Sequence, residues 1–361
     1  MKNNRIGIGI IGCGWIAEKA HISSFLKIDD VYIAAVCDND VQTINKFKEK
    51  FQVKNYYNNP EHLINDDNVN AIVISTPNST HYTLSEKALL AGKHVLCEKP
   101  IAFSSAEVDN LIRILKKTNT IFLPAFVNRF RNDVQCVKDI LDKNLIGEII
   151  SINAQWIRRA GVPRPGSWFT QKDKAGGGVL MDLGPHIIDI ILMYIKFEKL
   201  NSAQLYCKYD YDKYPQLNAN WYSDNSRDVI FPDVESSVIA ELNLNNDLIA
   251  KIEVSWLSDI KNDMTFFIIN GENGSIEMKT LFGFSTNRLW SVDEVLVKNS
   301  TGEIIKKVEF DITRNESIHA FERMAHFFIS SIRGNKISAL NYIDAYNTTL
   351  LIEELYKHQK K

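Results

Sequence analysis

Between Arg5 and Asp38 the chain reads strand, Gly-rich turn, helix, strand, and this stretch constrains the fold more than any other. The run Ile6–Ile11 is short, apolar and rich in Ile, as suits a strand buried on both faces of a parallel sheet. Gly12-Cys13-Gly14-Trp15-Ile16-Ala17 follows at once with G-x-G-x-x-A spacing. In that spacing the first Gly turns tightly, the second lets a pyrophosphate approach the backbone, and the Ala lets the next helix pack closely. The helix would then aim its N-terminal amides at the phosphates. A second apolar run, Val31–Cys37, ends in Asp38. A carboxylate there can accept hydrogen bonds from the adenosine ribose hydroxyls and would repel a 2′-phosphate, and Asn39 offers no guanidinium to bind one. The glycines alone need only make a sharp turn; with Asp38 the stretch reads as a dinucleotide site that prefers NAD to NADP.

The βα alternation continues through a helix at Val41–Phe51 and a strand at Asn70–Ser75. Ligands of open α/β sheets sit outside the carboxyl ends of the strands, so the following Thr76, Pro77, Asn78 and His81 are placed to line the cofactor cleft, before a helix at Tyr82–Ala91. The strand His94–Cys97 ends in Glu98-Lys99-Pro100, ahead of a capping box from Ser104 to Glu107. Pro100 restricts Lys99 to extended geometry and gives the bond before it access to the cis form. At a strand's functional end, Lys99 is expected to do more than a solvated turn residue. Thr120–Phe126 is the last strand of this alternation.

At 361 residues the chain exceeds the usual single core, so two domains are expected. Its net charge of −2, without a Lys/Arg block, argues against nucleic acid or an anionic membrane as partner and favours a small molecule. Five cysteines without a C-x-x-C pair indicate neither a disulfide framework nor a zinc knuckle. The first residues lead directly into a strand rather than a signal segment, and no apolar run approaches a membrane span, so the expected compartment is the cytoplasm.

Beyond Phe126 the organisation changes. After a helix at Asn132–Lys143, strands are expected at Ile149–Ile157, Leu200–Lys208, Val234–Leu244, Leu248–Leu257, Met264–Asn270 and Leu289–Lys298, giving an α+β domain with a mostly antiparallel sheet. Tyr209–Pro232 is a polar, Tyr-rich insertion to which no element is assigned, and Glu316–Arg333 and Tyr342–Lys357 are helical. One helix interrupts the strands. Gly176-Gly177-Gly178 leads into Val179–Ile195, where Asp182, His186 and Asp189 recur at spacings of four and three and are expected on one face. The rest of the helix is nearly all apolar, and burying these groups costs several kcal/mol unless they pair with each other or with a ligand. His186 could be a core histidine satisfied by Asp182. A metal is not expected, because three ligands on one helix cannot enclose zinc and no second His/Cys pair supplies the rest.

GIIGCGWIA, STPNSTH, CEKP and GGGVLMDLGPHIID, in this order, resemble the glucose–fructose oxidoreductase and inositol dehydrogenase (Gfo/Idh/MocA) family. The likeness extends to FVNRF at Phe126–Phe130, LIGEI at Leu145–Ile149, SW at Ser255–Trp256 and GENGSIE at Gly271–Glu277. It implies a Rossmann domain over 1–125, a substrate and oligomerisation domain with an open sheet over 126–340, and a terminal helix, 341–361, packing back on the first. It further implies that Lys99, Asp182 and His186 are catalytic and that Glu98 and Asn128 lie near the nicotinamide. The expected substrate is a sugar, sugar derivative or cyclitol, oxidised at a secondary hydroxyl. His186 would be the base, Asp182 its orienting partner or a ligand of a neighbouring hydroxyl, and Lys99 the stabiliser of the alkoxide. Arg158, Arg159, Trp168 and Phe169 are candidates for substrate recognition, the Arg pair as an anion clamp and the rings as a cover for a sugar face. Two rivals are a nucleotide- and sugar-binding regulator without turnover, and a metal-dependent hydrolase using Asp182, His186 and Asp189. A homo-oligomer is expected, because too few helices follow the long strands to cover both faces of their sheet.

Overall fold

Short apolar runs separated by capped helices build a six-stranded parallel sheet from β1 (Ile6–Ile11), β2 (Val31–Cys37), β3 (Asn55–Tyr57), β4 (Ala71–Ile74), β5 (His94–Cys97) and β6 (Phe122–Pro124). The strand order, β3-β2-β1-β4-β5-β6, is that of the Rossmann fold, with its switch point between β1 and β4. The computed structural model describes residues 5–163, 166–213, 232–313, 316–334 and 342–360. The chain divides into two compact units, Met1–Val127 with Ile318–Tyr346 and Asn128–Ser317 with Asn347–Lys361.

Local chemistry sets the ends of the first unit's helices. Asp40 caps Val41–Phe51 by accepting from the amides of Gln42 and Thr43, and Ser104 and Glu107 form the reciprocal capping box that opens Ser105–Leu115. The segment after the Gly-rich turn is π-helical over Ala17–Ile22, a winding found often at functional sites. The helix Glu316–Ile332, expected with the second domain, lies mostly in the first unit, where Phe321 and Phe328 meet His21 and Phe25 edge-on. The last helix, Tyr342–Lys357, is shared: Ala345 joins the first unit's core, whereas residues from Asn347 onward belong to the second unit.

In the second unit β7 (Ile149–Ile157), β8 (Leu200–Lys208), β9 (Ser237–Leu244), β10 (Leu248–Ser255), β11 (Met264–Gly271), β12 (Gly274–Thr280), β13 (Asp293–Asn299), β14 (Ile304–Phe310) and β15 (Gln359–Lys360) form a nine-stranded sheet. Its order is β14-β13-β12-β11-β7-β10-β9-β8-β15. Pairing is antiparallel except between β7 and β10 and between β8 and β15. β12 and β14 were not expected. β12 is short, with Ile276 and Met278 alternating with Glu277 and Lys279, the adjacent Lys306 and Lys307 interrupt the alternation of β14, and lysines suit β14 as an edge strand. Ile152, Ala154 and Trp156 of β7 and Val238, Ala240 and Leu242 of β9 point to the buried face. The opposite face carries half-buried Phe266, Ile268 and Ile249 and exposed Ile239 and Tyr206. Most of the Tyr209–Pro232 insertion lies outside the described residues.

The single helix expected over Val179–Ile195 is two, Val179–Asp182 and Gly184–Tyr194, and the segment Lys172–Asp182 meets the second helix at a bend of 48°. Pro185 starts the second helix because it has no amide hydrogen to continue the first.

Candidate active site

At the switch point the backbone itself holds the polar groups. Gly12 has φ +91°, and a Cβ there would lie 2.5 Å from the Ser75 carbonyl oxygen, so only glycine fits. A Cβ on Gly14 would meet nothing within 4 Å, so the protein's own packing does not require this second glycine. Ala17 is fully buried, as close helix packing demands, and Trp15 and Ile16 are half-buried. Asp38 anchors the turn, accepting from the Cys13 amide on Oδ2 at 2.8 Å and from the Asp40 amide on Oδ1 at 2.9 Å. A carboxylate oxygen can accept more than one hydrogen bond, so capacity remains for ribose hydroxyls.

The loop after β4 is tied to the loop after β5. His81 is buried, with Nδ1 2.7 Å from the Pro100 carbonyl oxygen and Nε2 2.8 Å from that of Thr76. Both ring nitrogens thus face backbone carbonyls, and the neutral imidazole donates its one N–H to one of them. His81, expected in the cofactor cleft, is instead a strut between two loops. Burial pushes its pKa down and the two carbonyls pull it up, with a net fall. Thr76 Oγ1 bonds Thr80 Oγ1 at 2.6 Å, Pro77 leads into the turn, and Asn78 is buried. The Lys99–Pro100 bond is cis, and Lys99 is half-buried. Glu98 bonds Nε2 of His21 through Oε1 at 2.8 Å, while the edge of Phe321 packs on the imidazole. His21 went unnoticed in the sequence. Its signal is a histidine among Ala17, Ala20 and Ile22 on the buried side of the helix after the Gly-rich turn.

In the second unit side chains do the holding. Trp256 is fully buried, and its indole Nε1–H donates to Asp182 Oδ2 at 2.9 Å. His186 is buried, with its ring centroid 5.8 Å from that of Trp156. The guanidinium of Arg158 lies 4.8 Å over Trp156. Burial lowers the Arg158 pKa, and the negative charges of Asp182 and Asp263 oppose that fall. Asn128 is buried in the short helix Val127–Phe130.

Two expected groupings come apart. Asp189 accepts from Arg129 Nε at 2.6 Å in a buried ion pair, and the break at Leu183 puts Asp182 on a different helix from His186 and Asp189. That removes Asp189 from the hydrolase trio, and the described residues hold no group of three or more His, Cys, Asp or Glu able to bind a metal. Arg158 and Arg159 are not a clamp. Neighbours at a strand end diverge, so Arg158 is buried while Arg159 is exposed, with its amide on Asp263 Oδ1 at 2.8 Å. Trp168 and Phe169 stack on each other with centroids 3.8 Å apart.

Glu235 was not singled out in the sequence either. It is buried, and its Oε1 accepts from the amides of Gly178 at 2.9 Å and Leu180 at 3.1 Å and from the Tyr356 hydroxyl at 2.8 Å. Burial raises its pKa despite these donors. The five cysteines are free thiols, and burial raises those of Cys13, Cys37 and Cys97.

A parallel sheet of Rossmann order, with a glycine turn anchored by Asp38, defines a dinucleotide-binding fold. Comparison with known proteins agrees. Residues 6–126 match the oxidoreductase family with an NAD-binding Rossmann fold, and residues 134–277 match the C-terminal domain of GFO/IDH/MocA proteins. The chain belongs to the Gfo/Idh/MocA family. It is 25% identical to D-glucoside 3-dehydrogenase of Escherichia coli over 99% of this chain and 96% of that protein. It is 31% identical to myo-inositol 2-dehydrogenase of Thermotoga maritima over 54% and 56% of the two chains. Among solved structures, a levoglucosan dehydrogenase in complex with NADH and levoglucosan superposes with a TM-score of 0.79 at 20% identity, covering 98% of this chain and 97% of the other. A 3-ketoreductase from Actinomadura kijaniata in complex with NADP and TDP-benzene gives 0.77 at 20%, covering 99% and 98%.

Proposed function

We propose that this protein moves a hydride between a nicotinamide cofactor and a secondary hydroxyl or ketone of a sugar, sugar derivative or cyclitol. The observation that carries the reading is the Asp182 carboxylate, fixed by the Trp256 indole one turn before His186 in an otherwise apolar pair of helices. Buried helices keep such groups at a cost of several kcal/mol unless they serve a ligand or each other. The residues of the first unit fit the cofactor: Gly14 leaves open space where a side chain would stand, and Asp38 has acceptor capacity for ribose hydroxyls. When bound, the nicotinamide supplies the hydride acceptor or donor.

The remaining steps belong to the protein. In the oxidising direction His186 takes the hydroxyl proton. Asp182 orients the imidazole or holds a neighbouring hydroxyl. Lys99 stabilises the developing alkoxide electrostatically. Glu98, held by His21, and Asn128 serve the nicotinamide side, whereas His81 supports the loops without touching the cofactor. Arg158 is the recognition residue of its pair, and Arg159, Trp168 and Phe169 are left to the rim. NAD is preferred over NADP because Asp38 would face a 2′-phosphate with like charge. The partly apolar outer face of the second unit's sheet, with Phe266, Ile268 and Ile239, is covered by a second copy of this chain in a closed homo-oligomer.

The test is a screen of sugars, sugar phosphates, nucleotide sugars and inositols with NAD and NADP, read at the absorbance of the reduced cofactor. Hydride transfer to NAD with at least one polyol is expected; tight cofactor binding without turnover on any of them would instead make the protein a binding regulator. Light scattering at micromolar concentration should show an oligomer, and a monomer would refute the assembly.

A further inference from the structure

We infer that Glu235 is the positioning residue of Asp182, an inference that rests on the catalytic reading of Asp182 above. Three consecutive amides at the start of the helix Val179–Asp182 all end on Glu235. Those of Gly178 and Leu180 reach its Oε1, and that of Val179 reaches its backbone oxygen at 3.0 Å. The other end of this one-turn helix is Asp182 itself, whose carboxylate is held by the Trp256 indole. Trp256 is referenced to the same place, because its amide donates to the carbonyl of Ser236, the residue after Glu235, at 2.9 Å. Both restraints on Asp182, the helix that carries it and the indole that holds its oxygen, therefore start from the dipeptide Glu235-Ser236.

The glycines before the helix belong to the same device. A Cβ on Gly178 would stand 2.0 Å from the Glu235 carbonyl oxygen, and one on Gly177 would stand 2.0 Å from the Tyr356 hydroxyl. That hydroxyl is the third donor to Glu235 Oε1. Side chains are thus excluded where the chain must approach Glu235 and Tyr356, which explains the triple glycine through positions 177 and 178. The last helix takes part in fixing Asp182 through a single hydrogen bond from Tyr356.

The experiment has two independent arms. In protein labelled with ¹⁵N at its six tryptophans, the Trp256 indole resonance is assigned with Trp256→Phe and recorded for Glu235→Ala, Tyr356→Phe, Gly178→Ala and Glu235→Gln. The first three should move it. Glu235→Gln, whose amide oxygen can still accept, should leave it near its parent position. If Glu235→Ala does not fold, Tyr356→Phe and Gly178→Ala carry the test. An unmoved Trp256 resonance in the folded members of the first three overturns the inference.

The second arm measures turnover with NAD and levoglucosan, methyl glucosides and myo-inositol. Glu235→Ala should lower kcat on the order of 10²-fold, the usual consequence of a misplaced group, with cofactor affinity unchanged. Added to Asp182→Asn it should lower kcat little further. Parent-like turnover in Asp182→Asn would refute the catalytic reading whatever the resonance does. Impaired Asp182→Asn alongside parent-like Glu235→Ala refutes the positioning alone.

Discussion

The two units solve one problem, holding polar groups away from water, in different ways. In the first the partner is usually the backbone: Asp38 sits on two amides, His81 bridges two carbonyls, and the Ser75 hydroxyl donates to the Gly12 carbonyl at 2.8 Å. In the second it is more often a distant side chain: Asp182 has Trp256, Asp189 has Arg129, and Glu235 adds Tyr356 to two backbone amides. A backbone partner survives mutation of the residue that bears it, whereas a side-chain partner can be deleted. The first unit should therefore tolerate substitution of neighbouring side chains around its polar groups, and the second should fail pairwise.

The largest expected effect falls on His186, whose role depends on chemistry rather than packing. His186→Ala should lower turnover by roughly two to four orders of magnitude, the usual contribution of a positioned acid–base group, with NAD affinity nearly unchanged by titration. Near-normal turnover would remove His186 as the base and leave Lys99 or a bound water.

Pairwise failure is clearest at Arg129. Arg129→Met removes the guanidinium partner of the buried Asp189 carboxylate and should cost about 3–5 kcal/mol in chemical denaturation. The double substitution Arg129→Met with Asp189→Leu should recover most of that, because replacing both partners of a buried pair is often close to neutral. A double variant as unstable as the single would mean that the ion pair is not the source of the loss.

His81 tests the backbone-held side of the contrast. His81→Leu removes the one N–H that a neutral imidazole offers between the Thr76 and Pro100 carbonyls, at about 1–3 kcal/mol for the carbonyl left unsatisfied. Because both belong to the loops flanking Lys99, a raised KM for substrate should accompany the fall in stability. Unchanged stability would show that the carbonyl served by the imidazole finds another donor.

The same contrast explains what could be read in the sequence. The Gly-rich turn, Asp38 and the capping box are local, with donor and acceptor set by strand, turn and helix over a few tens of residues. The likeness to a known family brought in Lys99, Asp182 and His186, but not their partners. Asp182 meets Trp256 across 74 positions, Asp189 meets Arg129 across 60, and Glu235 meets Tyr356 across 121. No periodicity reports a contact of that range. This is why Asp189 was expected beside His186 and Glu235 was passed over. Pro185 marked the helix break, but nothing local marked Asp189 for Arg129.

Cofactor choice sharpens the first unit's side. Because Asp38 holds the Cys13 amide and is proposed to face the ribose, Asp38→Ala should weaken both cofactors and also narrow the proposed preference for NAD, by about tenfold if one like-charge contact is relieved. Kd values for NAD and NADP in parent and variant decide this. Tighter binding of NADP than NAD by the parent would refute the ribose assignment.

The smallest expected effect is a pH dependence in the second unit, where Glu235 is buried among Tyr356, Tyr209, Tyr211 and Cys207 and its pKa is raised above 4.5, chiefly by burial. None of these four neighbours is a cation, and burial raises the pKa of each, so they stay neutral near pH 7. A carboxyl whose pKa is higher folded than unfolded binds its proton more tightly in the folded state. Its contribution is therefore greatest below the unfolded value and is lost as pH rises through the folded one. Denaturation of the parent protein from about pH 4.5 upward should show this loss superposed on the other titrations. Glu235→Gln cannot ionise, so the difference in stability between variant and parent should move in the variant's favour over that window. A difference that stays flat would mean that the three donors compensate the charge as fully as they do the neutral acid, and that Glu235 holds the helix start equally well in either form.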